Sequence, residues 1–273
     1  MMRPQTTTTR ERLHALLHEL NFKGMQRVLD AELDRAERDA APAAEVVQRL
    51  LTEQASFQRE RAMVNRVARA RLPWQWTIET FPFKQQPGVN KAQILGLAGL
   101  DFVRRAQNLV LIGGTGTGKT GIAMGLLRQA CVNGWRGRFY NAQALFDELY
   151  ASLADRSTTK LLTALSRTQP LVIDELGYLN LKSEQVNAFF RLMDQRYGRV
   201  STILTTNLDY PAWYGLFDNK PLVDALLDRL QHHCITIRID GPSLRASSAG
   251  DAPAAQAPSP GTKRAQTSRH KAQ

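Results

Sequence analysis

Leu13, Leu16, Leu17 and Leu20 recur at i, i+3, i+4 and i+7, and Met25, Val28, Leu29 and Leu33 repeat that spacing after a break at 21–24. Apolar residues at this period line one face of a helix, so the stretch predicts a helical hairpin. Val46, Val47, Leu50 and Leu51 stripe a third helix expected over 44–72; Pro73 ends it, because a proline disfavours the helical backbone of the residue before it. Pro82 and Pro87 punctuate the next stretch, and 73–105 is expected to be a linker.

From Ala106 the rhythm changes. Short, β-branched apolar runs at 108–112, 138–140, 171–173, 201–205 and 235–239 alternate with helical stretches. Such alternation predicts an α/β fold, a five-stranded parallel sheet flanked by helices, preceded by an N-terminal helical domain. Between the second and third runs, 142–169 carries two amphipathic patterns split near Ser157, so one crossover should hold two helices. The expected organisation is an N-terminal helical DNA- or partner-binding domain over 1–72, a linker over 73–105 and a nucleotide-binding domain over 106–245. A disordered basic tail is expected over 246–273, where Ala, Pro, Ser and Gly cannot bury a core.

Composition adds little until charge is located. At 43% hydrophobic and 22% charged, the 273 residues are ordinary for a soluble globular chain, and no apolar run is long enough for a membrane span. Residues 1–12 are polar, which marks no export signal, and Cys131 and Cys234 fit small core residues of a reducing cytoplasm. The net charge of +11 is concentrated: 57–105 holds nine Lys/Arg against three Asp/Glu. Within it Arg59, Arg61, Arg66, Arg69 and Arg71, followed by Trp74 and Trp76, are candidates for clamping DNA phosphates; the alternative is a solvated helix face.

The strongest chemical signal is Gly113-Gly114-Thr115-Gly116-Thr117-Gly118-Lys119-Thr120, a G-x-x-x-x-G-K-[ST] phosphate loop between an apolar strand and an amphipathic helix. Glycines let backbone N–H groups wrap a triphosphate, Lys119 reaches its β- and γ-phosphates, and the Thr120 hydroxyl ligates Mg2+. Leu171-Val172-Ile173-Asp174-Glu175 sets two acids at the carboxyl end of a strand, the edge where open α/β sheets bind ligands. Asp174 is expected to orient the metal, and Glu175 to take a proton from the water that attacks ATP. These acids should converge with the phosphate loop from adjacent strands. Asn207, at the end of the fourth run, could position that water. Arg229, polar on an apolar helix, could supply positive charge to a neighbouring subunit, and Arg245 is a weaker nucleotide contact. A turn or cap for Asn207 and a solvated arginine paired with Asp228 or Asp224 are the bland readings.

This order of motifs resembles an AAA+ ATPase, and residues 13–245 are similar to the IstB-type ATP-binding helper proteins of insertion sequences, relatives of the DnaC helicase loaders. The similarity is carried by 102–109, by Ile173-Asp174-Glu175-Leu176-Gly177-Tyr178-Leu179, by Thr206-Asn207 with Trp213, and by Ala225-Leu226-Leu227-Asp228-Arg229-Leu230. The resemblance implies a Mg2+-dependent ATPase that forms a homo-oligomer with ATP on double-stranded DNA, deforms that target and delivers it to the transposase of the same element. It also implies that the paired crossover helices are an initiator-type insertion and that Arg229 acts in trans. A helicase loader is the alternative reading, and a non-hydrolysing nucleotide switch a further one. Three departures stand out: Gly114-Thr115 where the family usually has Pro-Pro, Gly121 where histidine is common, and Gly241-Pro242-Ser243-Leu244-Arg245 in place of Gly-Glu-Ser-Tyr-Arg. The C-terminal lid is expected to be reduced or absent.

Overall fold

The computed structural model describes residues 8–177 and 179–247; the expected tail, but for its first two residues, and Tyr178 of the family-like stretch lie outside them. Thr8 opens the first helix, α1 (Thr9–Glu19), with a reciprocal cap: its Oγ1 accepts from the Glu11 N–H at 3.2 Å, and its own N–H donates to the Glu11 carboxylate at 2.7 Å. α2 (Lys23–Asp39) turns back along it, and α3 (Ala43–Arg69) runs the length of the arm, about 40 Å at 1.5 Å per residue. Leu17, Leu29, Val46 and Leu50 form the small buried core between the three helices. The leucine stripe expected on α1 buries only Leu17, and the α3 stripe divides. Val46 and Leu50 turn inward, while Val47 and Leu51 stay 52% and 53% exposed, because two facing helices cover only one edge of a broad apolar face.

Residues 73–105 are not a linker. They contain α4 (Lys91–Ala98) and α5 (Asp101–Arg104) and bury Ile78, Phe81, Val89, Ile94, Leu97, Leu100, Phe102 and Val103 in the core beneath the sheet. Pro82 and Pro87 break helical periodicity there without preventing burial, so the pattern hid a packed segment. Trp76 also explains one departure from the family pattern. A Cβ on Gly121 would stand 2.8 Å from the Trp76 ring, so the helix after the phosphate loop needs a notch at that position.

The five strands are β1 (Asn108–Gly113), β2 (Arg138–Asn141), β3 (Leu171–Asp174), β4 (Thr202–Thr206) and β5 (Cys234–Ile239). They pair in parallel in the order β2-β3-β4-β1-β5. α6 (Lys119–Val132) follows β1; α7 (Ala142–Ala154) and α8 (Thr158–Ser166) fill the β2 to β3 crossover as expected; α9 (Ser183–Arg196) precedes β4. α10 (Trp213–Phe217) and α11 (Lys220–His233) precede β5, and among the described residues only the four-residue α12 (Leu244–Ser247) follows it. One core lies on each face of the sheet, as a doubly covered parallel sheet requires.

Arg196, at the end of α9, is only 1% exposed. Its guanidinium donates to the Leu165, Thr168 and Ser201 carbonyls and to Thr202 Oγ1, fastening the end of α8 to the start of β4. No helix among the described residues is long and apolar enough to cross a membrane.

Candidate functional site

The strand order corrects one expectation. β1 and β3 are not neighbours, because β4 lies between them, yet their carboxyl ends still bring the loop and the acids together. Gly116 and Gly118 hold φ of 82° and 92°, conformations open to glycine at little cost, and these turn the loop from β1 into the first residue of α6. Lys119, that first residue, donates from Nζ to the Gly113 and Gly114 carbonyls, at 2.7 Å each. Thr120 Oγ1 donates to Asp174 at 2.9 Å and 3.1 Å from its two oxygens. Burial holds the Lys119 ammonium below the ordinary lysine range, while the charges of Asp174 and Glu175 pull it back up. Burial likewise lifts the Asp174 carboxyl above the carboxylate range, against its hydrogen bonds from Thr205 and Thr120.

β4 contributes a residue that the sequence did not single out. Thr205, wholly buried, donates its hydroxyl to Asp174 Oδ1 at 2.5 Å, and its Oγ1 accepts the Glu175 N–H at 2.9 Å. One side chain therefore orients both acids, and it can do so because β4 is the strand between loop and acids. Glu175 sits at φ 61° with its carboxylate exposed, held by Asn141 Nδ2 at 2.9 Å from the end of β2. Asn141 was also missed; its only signal was its place at the same sheet edge. Asn207 follows β4, and its Oδ1 lies 2.2 Å from where a Cβ on Gly177 would stand, beside the acids.

A second group closes the outer side of the loop. Gln86, fully buried, donates from Nε2 to the Thr117 carbonyl at 3.3 Å and the Pro242 carbonyl at 2.8 Å, and the Leu244 N–H donates to the Gly116 carbonyl at 2.9 Å. Segments before and after the sheet thus clasp the loop, and the positive charge of Arg245 is felt at Lys119. Arg229 stands apart on α11. It pairs with Asp194 of α9 at 2.8 Å, not with Asp228 or Asp224, and its guanidinium lies 5.7 Å from the Tyr197 ring.

The arginines expected to grip DNA do not share one face. At 3.6 residues per turn Arg59, Arg66 and Arg69 fall on a common arc of α3 and Arg61 does not. Arg66 donates from Nε to the Cys131 carbonyl at 2.8 Å, capping the end of α6, while Arg59, Arg69 and Arg71 are exposed.

The site therefore offers a glycine-rich loop at a helix N-terminus, one lysine, and a hydroxyl and carboxylate in contact. That donor set suits a triphosphate with a hard divalent cation, which favours oxygen ligands.

A family model described as IstB-like ATP binding protein matches residues 15–252. The protein named for ATP binding in insertion sequence IS21 of Pseudomonas aeruginosa is 35% identical over 85% of this chain and 88% of its own length. Its counterpart in IS5376 of Geobacillus stearothermophilus is 30% identical over 86% and 94%. Among solved structures, the DnaC helicase loader superposes with a TM-score of 0.53 at 23% identity, covering 61% of this chain and 97% of that one. AMPPCP-bound DnaA from Aquifex aeolicus superposes at 0.52 with 18% identity, covering 62% and 51%. At these identities the structures establish the fold, a P-loop AAA+ architecture, and nothing finer. Sequence carries the rest, and on that match, which spans most of its length, the chain belongs to the family of IstB-like ATP binding proteins.

Proposed function

We propose that this chain binds ATP with Mg2+ at the β1 to β4 edge, hydrolyses it, assembles with further copies on double-stranded DNA and delivers that DNA to the transposase of the same insertion sequence. The observation that carries the reading is the contact between Thr120 and Asp174. A hydroxyl from the first turn of α6 and a buried carboxylate from the end of β3 meet at the mouth of the phosphate loop, where either could ligate a cation directly or through water. No group of three or more His, Cys, Asp or Glu converges among the described residues, so the metal's remaining ligands would be phosphate oxygens and water. Bound Mg2+ supplies neutralisation of the β- and γ-phosphate oxygens.

The protein side of the reaction follows from the residues. Backbone N–H groups of 114–120 and the α6 N-terminus hold the phosphates, and Lys119 exchanges its two carbonyl partners for phosphate oxygens. Glu175 accepts a proton from the attacking water as the bond between the γ-phosphorus and the bridging oxygen breaks, releasing ADP and phosphate. In the present arrangement its carboxylate is tied to Asn141, so it must leave that amide to act. Asn207 positions the water, and Arg245 approaches the nucleotide from the clasp over the loop. Arg229, still 34% exposed beside Asp194, supplies positive charge to the neighbouring subunit's γ-phosphate. Membership of an insertion-sequence family supports the DNA and transposase partners, and the basic end of α3 supports direct DNA contact.

Hydrolysis measured with and without duplex DNA, for the full chain and for Glu175→Gln, tests the reading. The wild type should turn over faster with duplex, and the variant should bind ATP, assemble and stall. Turnover indifferent to DNA would remove the target-handling role, and normal hydrolysis by the variant would place the base elsewhere.

A further inference from the structure

Several arginines of the amino-terminal arm are tied to acids. On the amino-terminal arm Arg10 pairs with Asp34 and Glu37, Arg35 with Asp39, and Arg49 with Glu32 and Glu45. Where the arm meets the sheet, arginines gather without such partners. Among the described residues no carboxylate lies within 4 Å of the guanidinium of Arg69, Arg71, Arg128, Arg136 or Arg138; the same holds for Arg12, Arg38, Arg59 and Arg61 on the arm, so what sets the junction apart is that its unpaired guanidinia gather from three elements.

These side chains come from three elements that the fold joins. The Phe139 N–H of edge strand β2 donates to the Ala70 carbonyl at 2.8 Å, which brings β2, and Arg138 with it, against the α3 terminus. The charges of Arg71 and Arg138 both reach the Tyr140 hydroxyl, and Arg138 stacks 4.6 Å from that ring with its Nε buried and unpartnered. Arg66 meets the end of α6 at Cys131, where the charge of Arg128 is also felt. Arg136 is exposed in the turn leading into β2. The acid facing this group is Glu148, directed at Tyr140.

We infer that this junction, formed by Arg69 and Arg71 of α3's end, Arg128 of α6 and Arg136 and Arg138 of β2, is a binding surface for the phosphate rows of duplex DNA. The inference rests on the DNA-binding reading above and moves its centre from the α3 helix face to the ATPase domain. Unneutralised guanidinia present forked donors that match phosphate oxygens, and holding them together without counter-charge is unfavourable unless a polyanion fills the space. Duplex is favoured over single strand because single-strand platforms interleave aromatics between basic residues, whereas the run Arg66, Arg69 and Arg71 carries no aromatic between its arginines. The place also has a consequence: α6 begins at the phosphate loop and ends at this surface, so DNA and nucleotide would engage opposite ends of one helix.

The test is binding of a labelled duplex to the full chain across a range of salt concentrations, for wild type, Arg136→Ala/Arg138→Ala, and Arg12→Ala/Arg38→Ala as a charge-matched control on the arm. Losing two phosphate contacts should lower the slope of log K against log salt by about 1.8 and weaken binding roughly 30-fold at physiological salt. The control should keep the wild-type slope. Arg136→Ala alone, at an exposed turn, should lower the slope by about 0.9 and guards against misfolding from loss of the Tyr140 stack. Tight duplex binding with unchanged slopes would overturn the surface and leave DNA binding intact. Equal losses in the control would overturn it too, as would tighter binding to single strand. No duplex binding by the wild type at any salt would overturn the surface and the DNA-binding reading together.

Discussion

The rim of the sheet and the amino-terminal arm are built on opposite terms. At the rim, hydroxyls bond to a buried carboxylate: Thr120 and Thr205 both donate to Asp174, and Thr205 also takes the Glu175 N–H. Thr120, Asp174, Thr205 and Glu175 are joined in one chain of hydrogen bonds, so displacing one side chain disturbs the next. The arm holds its shape with a core of four buried residues and a surface of exposed ion pairs, each worth little in water. Precision thus sits at the rim of the sheet, and tolerance in the arm. α3 joins the two regimes, with Leu50 in the arm's core and Ala70 hydrogen-bonded to the sheet edge.

The sharpest way to separate the regimes is at the rim. Glu175→Gln should lower kcat by about 10²- to 10⁴-fold with ATP affinity retained, as expected for loss of a general base. Lys119→Ala should abolish nucleotide binding outright while leaving the unfolding temperature of the empty protein close to wild type. Nucleotide titration followed by fluorescence distinguishes the two; matched losses of affinity would mean that Glu175 serves binding instead of chemistry.

Leu50→Ala attacks the other side of the comparison. Deleting this buried side chain should cost about 2–5 kcal/mol, and because the arm has few other buried contacts the loss should stay there. Hydrogen exchange should speed up in α1 and α2 and hardly change in β1 and β4. Equal acceleration in the sheet would make arm and sheet one cooperative unit and erase the contrast.

Thr205→Val asks whether precision at the rim depends on that hydroxyl. The substitution keeps the shape, removes a donor to Asp174 and strands the Glu175 N–H, at a cost of about 1–3 kcal/mol. More Mg2+ should be needed for tight ATP binding, and Thr205→Ser should restore the wild-type requirement. A fall in thermal stability with no change in metal dependence would reduce Thr205 to a packing residue.

The same contrast governs what could be read in advance. The phosphate loop and the Asp174-Glu175 pair were legible because their chemistry is written in contiguous residues, and the five strands because buried parallel strands are continuous apolar runs. Thr205, Asn141 and Gln86 were not, since each acts across the chain on a partner far away in sequence. The segment 73–105 misled for a related reason: Ile78, Phe81 and Val89 bury singly against other elements and follow no helical or strand period. On the arm, periodicity located the helices but not which half of each stripe would be covered, as Val47 and Leu51 demonstrate. The arginines at 59–71 were visible as composition, but whether each was free or occupied depended on where α3 docked, and Arg66 proved to be a cap on α6.

The smallest expected effect concerns the empty site, and it links rim chemistry to stability. Burial raises the Asp174 carboxyl, so between its ordinary and raised values the folded chain binds more protons than the unfolded one, and stability falls as pH rises through that interval. Lys119 runs the other way: burial lowers its ammonium, the unfolded chain holds more protons over the corresponding interval, and stability rises with pH there. In the empty cradle burial therefore disfavours the charged form of both groups. Asp174→Asn should unfold at a temperature equal to or slightly above wild type at neutral pH without nucleotide. That difference should shrink as pH falls into the range where the native carboxyl takes up its proton. Adding ATP and Mg2+ should reverse the order, because a ligand stabilises only the form that binds it. If ATP and Mg2+ raise both unfolding temperatures equally, Asp174 is not the metal anchor, and its buried charge would have to be explained by the hydrogen bonds of Thr120 and Thr205 alone.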